Sequence, residues 1–283
     1  MTMRTFLITG ASSGLGRAFA QRALAAGHTV VGTVRKDDDL TRFQALAPGR
    51  AHGRLLDVTD DAAVFDVVRA VERDIGPIDV LIANAGYGHE GVFEESSMAD
   101  LRTQFDVNVF GVAATVHAVL PGMRRRRSGH ILAVSSMAGL MTVPGVSYYC
   151  ASKYAVVGLL ETLSKEVADL GVRVTIVEPG SFRTDWAGRS MVRSARSIPD
   201  YDELFEPIRA ARLAASGNQL GDPDKAADVV LQVIEAEKPP VHLVLGSDAL
   251  RLVATGRAAV AADIDAWEEF SRSTDFPDGH QIR

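Results

Sequence analysis

Short apolar runs alternate along the chain with longer amphipathic segments. Most of the runs lack a period-two pattern, as expected of strands that are buried on both faces. The runs cover residues 6–9, 29–34, 52–56, 80–83, 130–134, 172–177 and 241–245. Helical patterns lie between them, at about 15–26, 60–75, 97–120, 148–169 and 224–237. This alternation predicts one doubly wound α/β domain over residues 1–283, with a parallel sheet flanked by helices on both faces.

The segment between Gly180 and Pro223 departs from this pattern. It is rich in Arg, Ser and Gly, and a structureless insertion of this length is uncommon unless it is functional. We expect residues 181–222 to form a substrate loop that contains a short helix at 201–215. A C-terminal extension follows at about 248–283, with a helix predicted over 248–270 and a loose tail over 276–283.

Composition and charge narrow the class of protein. The 283 residues are 47% hydrophobic and 23% charged, with a net charge of −6. This is ordinary for a globular chain, and the negative charge argues against nucleic acid or an anionic membrane as the partner. The one cysteine, Cys150, excludes an internal disulfide and fits a reducing, cytoplasmic compartment. The histidine spacing predicts no metal site, and no segment is predicted to span a membrane.

A glycine-rich turn follows the first apolar run and leads into a helical pattern. A strand, a glycine turn and a helix in this order place backbone N–H groups and the helix dipole against a phosphate. Gly10 permits the tight turn, Gly14 lets the backbone approach a pyrophosphate, and Gly16 permits close packing of helix on strand. An ordinary glycine-rich turn is the alternative. The residues expected at the phosphates are Gly10, Ser12, Ser13, Gly14, Leu15 and Gly16.

The ends of the next three apolar runs supply the rest of the predicted nucleotide site. Arg35 stands where an NAD site usually carries an acidic residue, and its guanidinium can hold a 2′-phosphate. NADP(H) is therefore favoured over NAD(H), although a solvated strand-end charge is the alternative. Asp57 can accept from the adenine amino group with Val58 against the ring, or it can cap the next helix. The small residues after the fourth run leave room for a cofactor; they are Asn84, Ala85 and Gly86.

Tyr149 and Lys153 are four residues apart at the start of a helical pattern, so their side chains share one face. A nearby ammonium favours the phenolate and lowers the pKa of a tyrosine. The pair predicts that Tyr149 is a general acid for ketone reduction and a general base for alcohol oxidation. An exposed structural pair would look identical. Ser136, thirteen residues earlier, has a hydroxyl that can polarise the substrate oxygen.

Taken in order, these motifs resemble the short-chain dehydrogenase/reductase family over about residues 4–246. The matching residues are Thr9 to Gly16, Asp57, Asn84 to Gly86, Asn108, Ser136, Tyr149, Lys153, Pro179, Gly180 and Thr184. The resemblance implies a seven-stranded parallel Rossmann-type sheet, NAD(P)-dependent oxidoreduction and a catalytic tetrad of Ser136, Tyr149, Lys153 and Asn108. The choice of Ser136 over Ser135 rests on the family's spacing.

The same resemblance implies further contacts with the cofactor. Lys153 and Tyr149 lie at the nicotinamide end, with Lys153 on the ribose, and Asn108 helps to hold a water that relays protons. The nicotinamide amide is flanked by Pro179, Gly180, Phe182 and Thr184. Family members commonly form homodimers or homotetramers through the helices that correspond to 97–120 and 148–169.

The expected substrate is a medium-sized apolar ketone or secondary alcohol. The residues predicted to line its pocket carry few charges and include Phe93, Val143, Val146 and Trp186. Loop packing is the alternative role for Trp186. Two other functions stay open, a 3-oxoacyl-carrier-protein reductase and a non-catalytic regulator that binds NADP(H).

Overall fold

A seven-stranded parallel sheet forms the centre of the protein, whose computed structural model describes residues 2–276 and 279. The strands are β1 (Thr5–Ile8), β2 (Thr29–Val34), β3 (Ala51–Leu55), β4 (Val80–Ala83), β5 (Gly88–Glu90), β6 (Gly129–Val134), β7 (Val172–Pro179), β8 (Met191–Arg193) and β9 (His242–Leu245). The sheet order is β3-β2-β1-β4-β6-β7-β9. β5 and β8 form a separate parallel ribbon of two strands. The predicted α/β class and the seven parallel strands are confirmed.

Helices cover both faces of this sheet. Their bounds are α1 (Gly14–Ala25), α2 (Asp37–Gln44), α3 (Asp61–Asp74), α4 (Met98–Phe105), α5 (Gly111–Arg126), α6 (Ser147–Glu166), α7 (Asp202–Ala214), α8 (Pro223–Glu235), α9 (Ser247–Ala266) and α10 (Glu268–Arg272). Phe6 and Ile8 of β1 belong to one core cluster, which α1 and α8 complete, whereas Leu7 belongs to the cluster under α3, α5 and α6. Neighbouring strand residues are thus buried on opposite faces, which explains the absence of alternation in the apolar runs.

One predicted helix differs from the structure. The helix expected over 97–120 is interrupted by a π-helical turn, Asp106–Phe110, and continues to Arg126. Pro121 removes one backbone hydrogen bond without ending α5, because Gly122 and Met123 beyond it are buried in the core. The predicted helices over 201–215 and 248–270 correspond to α7 and to α9 with α10. Most of the predicted tail, 276–283, lies outside the described residues.

One helical stretch among the described residues, Met98–Arg126, is long and apolar enough to cross a membrane by length and composition alone. In the most apolar 18 residues of this stretch, 44% of the segment is buried inside the protein. Val112, Val116 and Val119 of this stretch pack in the core beneath the sheet. The same burial is found in the core helices of proteins that do not cross membranes.

A histidine is buried in the middle of the sheet. His130 of β6 is 1% exposed, and its Nε2 lies 3.0 Å from the hydroxyl of Thr175 on β7. That hydroxyl donates to the carbonyl oxygen of Pro240, so Nε2 carries the hydrogen that His130 donates. Burial, followed by the charge of Arg173, lowers the pKa of His130 to about 3. The folded protein therefore keeps His130 neutral in mild acid.

His130→Gln is expected to make folding less sensitive to acid. Below pH 6.5 the unfolded chain binds a proton on His130 that the folded chain does not bind, so stability is lost as the pH falls from about 6.5 towards 3. Between pH 7 and pH 5 the unsubstituted protein should lose about 2 kcal/mol more than His130→Gln. Urea unfolding at both pH values measures this difference. His117→Gln, at an exposed site, is the control, and an equal response of the two variants would contradict the assignment.

Candidate active site

The turn between β1 and α1 has a backbone shape that only glycine adopts readily. Gly10 and Gly14 have φ angles of +68° and +56°, and a Cβ on Gly16 would overlap the carbonyl oxygen of Gly10. Helix α1 has no acidic residue in its first turn, and its N-cap, Ser13, makes no side-chain hydrogen bond to it. The first N–H groups of α1 are thus available to an anion. Ser12 and the partly buried Leu15 complete this turn.

Asn84 joins the glycine turn to the end of β4. Its side-chain amide donates to the carbonyl oxygens of Thr9 and Gly10, at 3.0 and 3.1 Å. The N–H of Ala85 donates to the Thr9 hydroxyl at 3.0 Å, and a Cβ on Gly10 would come within 2.9 Å of Ala85 Cα. The small residues at 85 and 86 therefore let the backbone after β4 pass close to the glycine turn. This cradle of glycines and free N–H groups fits the pyrophosphate of a dinucleotide.

The segment after β7 approaches the glycine turn from the opposite side. Thr184 lies next to Gly14, and a Cβ on Gly14 would be 3.5 Å from that of Thr184. A cleft of about 240 Å³ opens beside these two residues, with Arg17 and Arg183 on its walls. Pro179 ends β7, and the N–H of Gly180 donates to the carbonyl oxygen of Leu245 on β9. The ring of Phe182 lies against Gly221 and the core beneath α1 and α8.

The ends of β2 and β3 carry the residues expected at the adenosine. Arg35 follows β2 and is exposed. Asp57 accepts hydrogen bonds from the N–H and the hydroxyl of Thr59, at 3.0 and 2.8 Å. The backbone hydrogen bond is the main reason that the pKa of Asp57 is lowered, and the Arg35 charge contributes. Val58 is buried. Asp60, not Asp57, caps α3 by accepting from the N–H of Ala63.

Tyr149 and Lys153 lie on one face of α6 and are 7% and 5% exposed. Lys153 Nζ donates to the carbonyl oxygen of Val134 at 2.9 Å and lies 5.6 Å from the centre of the Tyr149 ring. Burial lowers the pKa of Lys153 to about 8. Burial also raises the pKa of Tyr149 to about 12, against smaller opposing effects of Ser136 and Trp186. The expected lowering of the Tyr149 pKa by the Lys153 ammonium is wrong for this structure, because burial determines the direction of the shift, and Tyr149 is protonated at neutral pH.

The structure distinguishes the two adjacent serines after β6. Ser136 interacts through its hydroxyl with Tyr149 and accepts a hydrogen bond from the N–H of Ala138 at 3.1 Å. Ser135 instead donates to the backbone carbonyl oxygen of Lys153 at 3.1 Å. Ser136 thus lies beside the Tyr149 hydroxyl, and Ser135 is bonded to the backbone of α6.

Asn108 lies in the π-helical turn, a rare element that is frequent at functional sites. Its amide is bonded to both backbone groups of Tyr87, at 3.1 and 3.0 Å, and to the Ser152 hydroxyl at 3.2 Å. Ser152 in turn donates to the carbonyl oxygen of Tyr149 at 2.7 Å. A Cβ on Gly86 would lie 3.1 Å from Asn108 Oδ1 and 3.6 Å from Lys153 Nζ. Gly86 therefore separates the two groups, and Ser152 is a site residue that the sequence reasoning missed.

Three of the four predicted substrate residues gather around Tyr149. Val146 is buried in one cluster with Tyr149 and Cys150, and Val143 and Trp186 pack against this cluster. Phe93 lies apart, because its side chain is 67% exposed and its ring packs edge-on against Tyr148. The Tyr149 ring is therefore flanked by largely apolar side chains.

A buried glutamate of β5 pairs with arginines of the segment 181–222. Glu90 of β5 is 1% exposed and pairs with Arg193 of β8 and with Arg212 of α7, while Arg209 lies 3.7 Å away. Glu95 likewise pairs with Arg196 of this segment. Neither glutamate was predicted as a site residue from the sequence. No local pattern indicates such pairs, because the partners are about a hundred residues apart in the chain.

Comparison with known proteins identifies the family. A model described as short chain dehydrogenase matches residues 4–193. The chain is 37% identical to Oxidoreductase BOA17 of Botryotinia fuckeliana, over 95% of this chain and 98% of that protein. It is 34% identical to 3-ketodihydrosphingosine reductase of Bacteroides thetaiotaomicron, over 87% and 89% of the two chains. A short-chain dehydrogenase structure from Streptomyces avermitilis is 41% identical, with a TM-score of 0.91 over 97% of this chain and 100% of that chain.

The chain belongs to the short-chain dehydrogenase family, and it is an NAD(P)-dependent oxidoreductase that acts on CH–OH or C=O groups. Two structures of 26% identity hold different forms of the cofactor. A short chain dehydrogenase/reductase from Burkholderia phymatum is in complex with NAD (TM-score 0.75, 99% of this chain and 98% of that chain). An alcohol dehydrogenase from Thermococcus sibiricus is complexed with 5-hydroxy-NADP (TM-score 0.71, 86% and 96%).

Proposed function

We propose that this protein is an NADP(H)-dependent carbonyl reductase in which Tyr149 donates the proton. The observation that carries the proposal is the buried contact of Tyr149 with Ser136 beside Lys153. With a pKa raised to about 12, Tyr149 holds at neutral pH the proton that a carbonyl oxygen needs as it becomes an alcohol. Ser136 polarises the same oxygen. When bound, the cofactor supplies the hydride to the carbonyl carbon.

In this proposal Lys153 and Asn108 restore the proton to Tyr149. A pKa of about 8 lets Lys153 exchange a proton near neutral pH, and Asn108 orients the water that supplies it. Lys153 also holds the nicotinamide ribose. The glycine turn and residues 84–86 hold the pyrophosphate side of the cofactor, Asp57 and Val58 the adenine, and residues 179–184 the nicotinamide amide.

The proposed substrate is a medium-sized apolar ketone. Val143, Val146 and Trp186 form an uncharged wall beside Tyr149, which favours a substrate that gains from leaving water. One relative is named for the reduction of a 3-keto compound, which supports the carbonyl as the reacting group.

We further propose that the protein is cytoplasmic, consists of one domain and forms a homodimer or homotetramer. Helices α5 and α6 are the proposed contact surface. The proposed contact surface is supported by exposed large apolar side chains. Phe110, next to α5, is 58% exposed, and Leu159 of α6 is 45% exposed.

Arg35→Ala is expected to weaken NADPH binding about ten- to a hundredfold and to change NADH binding by less than about threefold. Arg35 is exposed at the end of β2 and makes no ion pair within the described part of the chain, so its guanidinium is available to the 2′-phosphate. Titration of nucleotide fluorescence with both reduced cofactors measures the effect. Lys36→Ala, one residue further, is the control. Equal losses for the two cofactors would refute the role of Arg35.

The function itself is tested by following NADPH oxidation with a panel of ketones of increasing apolar size and with an acetoacetyl thioester. We expect turnover that improves with the apolar ketones. Turnover confined to the thioester would instead indicate a 3-oxoacyl-carrier-protein reductase. Tight NADPH binding without turnover of any carbonyl would indicate a non-catalytic regulator.

A further inference from the structure

The indole N–H of Trp186 is a buried donor, and no acceptor among the described residues forms a full hydrogen bond with it. Buried hydrogen-bond donors are nearly always paired. An unpaired buried donor therefore indicates an acceptor that becomes available, or becomes stronger, during function. The rings of Trp186 and Tyr149 are in contact, with centroids 5.1 Å apart and planes inclined by 55°. Burial dominates the pKa of Tyr149, but both the Ser136 hydroxyl and the Trp186 indole favour its ionised form.

The surrounding structure holds the indole at this place. The backbone N–H of Trp186 donates to the hydroxyl of Thr184 at 3.3 Å. The indole also lies against the ribbon, where a Cβ on Gly88 would come within 3.0 Å of the indole and 2.8 Å of Met191. The glycine at position 88 thus leaves the space that Trp186 occupies beside Tyr149.

An indole N–H donates and accepts nothing, so it binds oxygen atoms more strongly as they become more negative. Reduction of a carbonyl makes the oxygen of Tyr149 negative. The O–H bond of Tyr149 breaks, its proton forms the new bond to the substrate oxygen, and its electron pair stays on Tyr149. The carbonyl carbon gains the hydride that a bound reduced cofactor would supply, which would leave that cofactor oxidised. After it, Tyr149 is a phenolate and the strongest acceptor near the indole.

We propose that Trp186 is a positioning residue for the proton donor, because its indole N–H faces the Tyr149 oxygen and forms a full hydrogen bond with it when that oxygen is negative. This inference rests on the proposed function. The other groups facing Tyr149 are the Ser136 hydroxyl, the Lys153 ammonium and the Cys150 thiol. Ser136 can turn its hydrogen to the substrate oxygen, whereas Trp186, whose N–H is fixed in the ring plane, keeps its hydrogen on Tyr149.

The contact is tested by NMR of the protein labelled with ¹⁵N at its indole nitrogens. The chain has two tryptophans, and Trp267→Phe assigns the two signals. We expect Tyr149→Phe to shift the Trp186 signal and to speed exchange of its N–H with solvent. The signal of Trp267, which is 63% exposed, should stay in place. An unchanged Trp186 signal would overturn the inference, and this result needs neither substrate nor turnover.

Kinetics separate positioning from simple packing. Trp186→Phe keeps a ring but removes the N–H, and we expect kcat to fall about ten- to a hundredfold, with KM and NADPH affinity changed less than about threefold. Trp186→His returns a donor and should recover part of kcat. A raised KM with unchanged kcat would limit Trp186 to its place in the apolar wall and would overturn the positioning role. Should the unsubstituted protein reduce no carbonyl, the proposed function fails by itself, and the NMR result still decides the contact.

Discussion

The Tyr149→Phe protein is expected to lose about a hundred- to ten-thousandfold of kcat for carbonyl reduction and to bind NADPH as the unsubstituted protein does. Phenylalanine keeps the packing of the ring against Val146 and Trp186. It removes the hydroxyl that meets Ser136 and carries the proton. Steady-state oxidation of NADPH with the best ketone, together with nucleotide titration, measures both quantities.

Tyr148→Phe is a matched control, because it also removes a tyrosine hydroxyl, that of the preceding residue. The Tyr148 hydroxyl donates to the carbonyl oxygen of Ser96 at 2.9 Å, and its ring stacks on His89. We expect a loss of about 1 kcal/mol in stability with most of kcat retained. Turnover by Tyr149→Phe at a rate close to that of Tyr148→Phe would exclude the proton-donor role.

The Glu90→Gln protein is expected to lose about 3–5 kcal/mol of stability. The carboxylate of Glu90 is buried among Arg193, Arg209 and Arg212. A neutral amide would remove the negative charge that these three guanidinium groups face, so β8 and α7 should separate from β5. Urea unfolding measures the loss, and limited trypsin digestion should cut first within residues 189–212.

The control for Glu90 is an ion pair on the surface. Glu72 and Arg126 pair at 3.0 Å with side chains 26% and 31% exposed, so Glu72→Gln should cost less than about 1 kcal/mol. Similar losses in the two variants, with no early cleavage in the loop of Glu90→Gln, would show that Glu90 does not fasten the loop.

Structural features that are encoded by residues close together in the sequence could be predicted without a structure. The apolar runs predicted the strands because both faces of the sheet are buried, as Phe6 and Leu7 show by entering opposite clusters. Tyr149 and Lys153 lie on one helix face because four residues make about one turn. The β5–β8 ribbon was not predicted, since strands of three residues are too short to carry a hydrophobic period.

The sequence by itself determined the α/β class, the glycine turn and the Tyr149–Lys153 pair, because each is encoded in residues close together in the chain. Only the tertiary structure decided that Ser136 rather than Ser135 meets Tyr149, because the turn after β6 directs those side chains. It also placed Phe93 outside the apolar wall and Trp186 within it. These positions depend on how distant segments pack, and local spacing carries no information about that packing.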